Sequence, residues 1–104
     1  MRARADLQAI TDRLFEEGGE ELARRVAIEL RRRFRYLAEV PWMGHRRPEL
    51  TQAEEVRFFP VFSYLIVYLP ESRPLSILRV LHGARDPEEL RSEIDDGPDP
   101  PLSR

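Results

Sequence analysis

The sequence predicts an α+β fold in which an N-terminal helix hairpin packs on a small antiparallel β-sheet, followed by a short C-terminal helix and a disordered tail. Three observations predict it. Apolar residues recur at helical spacing as far as Leu37, with one interruption at Gly18-Gly19. Three β-type runs, joined by links too short for a crossover, occupy residues 55 to 82. Beyond Gly83 the residues first favour a helix start and then, from 95 to 104, turn acidic and proline-rich. Residues 1–94 are therefore read as one domain and 95–104 as a tail.

The first helix is expected over Asp6 to Glu17, where Leu7, Ile10 and Leu14 form one face before the glycines stop it. The second, Glu20 to Leu37, carries the strongest stripe in the chain: Ala23, Val26, Ala27, Leu30, Phe34 and Leu37. Acids four residues ahead of bases, such as Glu20 with Arg24 and Glu29 with Arg33, decorate its outer face. Pro41, Gly44 and Pro48 then impose a crossing loop. The run from Glu55 to Val61 contains Pro60, which cannot donate to a ladder and so suits an edge strand. Tyr64 to Leu69 is apolar on both faces, as a central strand should be. The turn PESRP leads to a third strand, Leu75 to His82. Asp86 is placed to cap a helix over Pro87 to Ile94, with Pro87 first in the helix and Glu89 at the capping-box spacing.

A chain of 104 residues with 41% hydrophobic and 35% charged residues can bury one modest core. It has no apolar stretch near the roughly 20 residues of a membrane span and no secretory h-region, so a cytoplasmic location is expected. All 17 basic residues are arginine. Residues 1–85 hold 15 arginines against 12 acids, and residues 86–104 hold 2 against 7, giving a mildly basic body and an acidic tail. The overall charge of −2 argues against a phosphate-gripping nucleic-acid protein, whose affinity rests on a clear basic excess.

The chemistry-bearing residues are few. With no cysteine and two histidines 37 positions apart, no metal-ligand spacing exists, and no P-loop, nucleophile elbow or dinucleotide fingerprint is present, so no cofactor is expected. What remains is the strand exit LRVLHGARD, residues 78 to 86, where Arg79, His82 and Arg85, with Arg57 and the tyrosines, could form an acid/base site of the sort that assists RNA cleavage. Arg85 apart, the residues of this stretch also have structural explanations. A histidine at a strand end commonly satisfies hydrogen bonds, Arg79 can snorkel over the sheet, Gly83 serves the backbone and Asp86 caps a helix. RRRFRY, residues 31 to 36, reads as a helix with Phe34 inward and arginines solvated rather than as a nucleic-acid patch.

RARADL at 2–7, RPEL at 47–50, SYLIVY at 63–68 and RVLHGARD at 79–86, in this order of elements, resemble the RelE/ParE superfamily of type II toxin-antitoxin toxins, and the ParE branch most. The resemblance implies a toxin, often serving plasmid stabilisation, that a cognate antitoxin wraps with an extended, partly helical arm. ParE-type members poison DNA gyrase. RelE-type members cut messenger RNA on the ribosome with lysine, arginine, histidine or tyrosine side chains. The absence of lysine and the acidic balance favour a gyrase-directed binding inhibitor. The alternatives are a ribosome-dependent endoribonuclease using Arg79, His82 and Arg85, or an inactive remnant. On either active reading those three residues face the target.

Family members ordinarily open with a β-strand before the R-A-x-x-D-L stretch, so a three-stranded sheet with an exposed edge is expected, to be closed by an upstream segment or an antitoxin strand. A helical antitoxin arm would seek an apolar furrow between helix hairpin and sheet, with Leu14, Val26, Leu30 and Tyr64 as its lining or its core support.

Overall fold

A computed structural model describes residues 2–83 and 86–95. One helical span, α1, runs from Arg2–Glu39, and a single 3-10 turn follows at Pro41–Met43. Three strands, β1 (Arg57–Val61), β2 (Tyr64–Leu69) and β3 (Ser76–His82), lead to a closing helix, α2 (Pro87–Asp95). The tail expected at 95–104 lies outside the described residues from 96 onward, and Asp95 is the last residue of α2.

The two expected helices meet without an intervening loop. Gly19, at φ 85° and ψ −177°, is the single non-helical residue inside α1. A straight helix of 38 residues would measure about 57 Å at 1.5 Å per residue. The longest extent of the molecule is 38 Å, so the break must turn the chain sharply. Nothing lies within 4 Å of a Cβ built on Gly19, and glycine is needed there for its positive φ rather than for room. The arms, residues 2–18 and 20–39, extend a few residues beyond the expected limits because the flanking RARA and AE residues are themselves good helix formers.

The sheet order is β1-β2-β3, antiparallel throughout, with β2 central as its two apolar faces require. One face of β2, Tyr64, Ile66 and Tyr68, packs with Leu14, Val26, Leu30 and Leu37 of α1 in the first core. The other, Leu65 and Val67, packs with Leu50, Val56, Phe58, Leu81 and Leu90 in a second core under the loop before β1 and under α2. The register passes from Val67↔Arg79 to Tyr68↔Ile77, leaving Leu78 as the extra residue of a bulge in β3.

β1 is an edge strand, as Pro60 implied, and begins at Arg57 rather than Glu55 because a turn closes just before it, with Val56 N donating to Ala53 O. Its outer side is partly covered: His45 and Phe58 exchange both backbone hydrogen bonds at 2.8 Å. Asp86 caps α2 as its position suggested, its Oδ1 accepting from Glu88 N at 3.0 Å. The capped helix delivers Leu90, 2% exposed, to the second core.

One buried hydroxyl fixes the crossing loop. Tyr68 Oη donates to Pro41 O at 2.6 Å and accepts from Gly44 N at 2.8 Å. Burial pushes this phenol above its ordinary pKa, so it remains a donor at physiological pH. A Cβ on Gly44 would collide with the same hydroxyl and with the Phe58 carbonyl, which explains the glycine. Tyr68→Phe is expected to lower stability by roughly 1–3 kcal/mol, because it leaves the Gly44 N–H and Pro41 carbonyl without their partner. Urea unfolding compared with the parent chain measures the loss.

Candidate functional site

The residues of RARADL and RVLHGARD, distant in sequence, come together at the outer edge of β3. Asp6 lies one turn from Ala3 and Ile10 on the helix face that carries Leu7 and Leu14, and this face turns toward the sheet. Its carboxylate takes three hydrogen bonds from β3. Oδ2 accepts from Arg79 Nε at 2.7 Å and from Val80 N at 2.9 Å, while Oδ1 accepts from Arg79 Nη2 at 2.9 Å. The Val80 N–H is an outward-pointing donor of an edge strand, and Asp6 satisfies it as another strand would.

Arg79 closes the arrangement from the other side. Its Nη2 also donates to Glu93 Oε1 at 3.0 Å and its Nη1 to the Glu93 carbonyl at 3.1 Å. One guanidinium, 7% exposed, thus joins the first arm of α1, the edge of β3 and α2. The planar fork suits this role, since it matches a carboxylate with two parallel bonds and has donors left for a second partner. The hydrogen bonds that Arg79 donates to Asp6 raise its already high pKa, so its charge is fixed. Rather than snorkelling over the sheet, Arg79 is sequestered by two acids.

His82 ends β3 and is half-buried, its ring set edge-on to Tyr64 at 5.4 Å between centroids and 72° between planes. Just beyond it, Gly83 N donates to Ser63 O at 2.6 Å, which ties the end of β3 to the β1–β2 turn. A cleft of about 230 Å³ opens between the first arm of α1 and β3, lined by Asp6, Ile10, Arg13, Tyr64, Val80 and His82 among others. It can hold a side chain or a short extended segment. Arg85 lies outside the described residues, and Arg57 lies away from this cleft, its guanidinium 5.2 Å from the centre of the Trp42 ring. Among the described residues no group of three or more His, Cys, Asp or Glu side chains is placed to hold a metal ion.

The four residues named for antitoxin docking occupy the first core: Leu14 and Val26 are 9% exposed, Tyr64 6% and Leu30 0%. They support the surface from within. The apolar side chains that reach solvent are others, among them Phe15, Ile28, Trp42, Met43 and Phe62.

The sequence reading missed Asp6 and Glu93. The signal for Asp6 was available: an acid set into an otherwise apolar helix stripe must find a cation or donors when that stripe is buried. Glu93 offered no comparable sign, since α2 is acidic along much of its length. Asp6→Ala is expected to destabilise the fold by about 3 kcal/mol, the cost of leaving a buried guanidinium with Glu93 alone and the Val80 N–H without its acceptor. Adding Arg79→Met to Asp6→Ala should recover part of that loss, because the incompletely paired buried charge is then removed. A double-mutant cycle by chemical denaturation tests both expectations, and a purely additive double variant would show the pair to be uncoupled.

Among curated proteins nothing matches the chain. The family model described as ParE toxin of type II toxin-antitoxin system, parDE, matches residues 1–87. That span includes both halves of the Asp6–Arg79 junction, the whole sheet and the strand exit at His82. The chain accordingly belongs to the ParE family, the toxins of type II toxin-antitoxin systems.

Proposed function

We propose that this toxin acts by binding and inhibiting DNA gyrase in the cytoplasm, and that a cognate antitoxin neutralises it through an extended, partly helical arm. The observation that carries the binding reading is the state of Arg79. A nuclease arginine must meet the charge that develops on a phosphate, and a guanidinium already bonded to two carboxylates is neutralised for that purpose. The end of β3 then serves as a contact surface, with His82 at its border and Arg85 beyond Gly83 as a bidentate partner for a carboxylate on the target. The ParE membership supports the same direction.

A second reading, ribosome-dependent mRNA cleavage, draws support from one feature: His82 and Tyr64, two groups able to exchange protons, line a single cleft. Expression in a bacterial host separates the readings. Gyrase inhibition should induce the DNA-damage response, and the purified chain should block supercoiling. Immediate translation arrest would instead support cleavage, and normal growth an inert remnant. Co-expression with the product of the adjacent reading frame should give a complex in a pull-down, and its absence would count against an antitoxin partner.

Substitutions at the strand exit sharpen the test. His82→Gln should leave growth inhibition largely intact at matched expression, since glutamine preserves hydrogen bonding but cannot relay protons at neutral pH. Arg85→Ala should weaken it. A catalytic histidine would reveal itself by a fall of about 100-fold to 10,000-fold.

A further inference from the structure

The β1–β2 link consists of Phe62 and Ser63 alone, between the paired residues Val61 and Tyr64. Two-residue hairpin turns favour positive φ at their centre because that twist matches the strands, and glycine, asparagine or aspartate ordinarily supplies it. Here Phe62 does, at φ 55°. A side chain in that region clashes with its own backbone, a penalty of roughly tenfold in the folding equilibrium. Packing does not offset it: Phe62 is 64% exposed, more than Phe15 or Trp42, and belongs to neither core. Two other exposed aromatics have a ring or cation against them, Tyr36 beside Phe59 and Trp42 beneath Arg57.

A large apolar side chain held in a strained backbone and presented to water is a combination that folding alone disfavours, and such outliers gather where a contact uses them. The position of the tip says which contact. Ser63 O receives Gly83 N, and Tyr64 carries the His82 ring, so Phe62 stands at the same end of the sheet as the strand exit. We propose that Phe62 is an aromatic anchor that enters an apolar pocket on the toxin's protein target, beside the contacts made by the end of β3. This rests on the reading that the toxin binds a protein target through that end. A second copy of the chain is the less suitable host. The apolar groove formed by Ala53, Val56, Leu69, Leu78 and Ile94 could receive a phenyl ring, but that contact closes a dimer only where tip and groove meet reciprocally about a two-fold axis, and otherwise builds rings or open filaments.

The experiment compares the full-length parent with Phe62→Gly and Phe62→Tyr, measuring urea midpoint, growth inhibition, gyrase inhibition and antitoxin binding. Glycine removes the backbone penalty, so Phe62→Gly should unfold at an equal or higher urea concentration. The same variant should lose target affinity by about 30-fold, the scale of an interface hot spot. Phe62→Tyr should retain inhibition, since it keeps the ring. A Phe62→Gly chain as inhibitory as the parent overturns this inference alone. So does one that stays inhibitory but escapes the antitoxin, which assigns the ring to that partner, or a parent that self-associates where Phe62→Gly does not. A parent that inhibits neither growth nor gyrase overturns both the inference and the reading beneath it.

Discussion

The junction of Arg79 with Asp6 and Glu93 is the constraint on which the rest of this small protein depends. Three elements meet there: a helix from the start of the chain, the edge of a sheet, and a short closing helix. Burying a guanidinium is costly unless its charge and donors are matched, and the bidentate bond to Asp6 with the bonds to Glu93 matches them. The bond also specifies geometry, since only one seating of the first arm of α1 brings Asp6 to both Arg79 and the Val80 N–H. A hydrophobic stripe alone would let that arm slide along the sheet.

This junction changes what the strand exit can do. The same arginine looks like catalytic equipment when read in sequence, because a guanidinium next to a histidine recurs in phosphoryl chemistry. In the fold its donors are turned toward carboxylates, and the exit presents His82, the hairpin tip and the beginning of the α2 cap. Such a surface is suited to recognition. The cleft beside it is shaped by α1, so the helix that locks Arg79 also sets how closely a partner can approach His82.

Much of the fold was legible from the chain because its signals are local. The stripe from Ala23 to Leu37 specified the second arm, the two-sided apolarity of YLIVYL specified the central strand, and Pro60 specified an edge. Gly18-Gly19 marked the break, although only Gly19 takes the non-helical conformation. The site was harder to read because its logic is not local. Asp6 and Arg79 are 73 residues apart, and neither residue's neighbourhood names the other. Arg79 was recognised as a candidate but not as a partner of Asp6, and the four apolar residues assigned to docking were those with the best helical or strand spacing, which is also what places a residue in the core. Phe62 escaped notice for the opposite reason: an aromatic beside a strand looks ordinary until its φ is known.

The covered flank of β1 has a further consequence. Along that side the Phe58 donor and acceptor are already bonded to His45, and Pro60 has no N–H to offer. Another chain therefore finds no uninterrupted row of ladder positions on β1, and extension of the sheet in that direction, the first step toward amyloid-like stacking, is blocked within a strand of five residues.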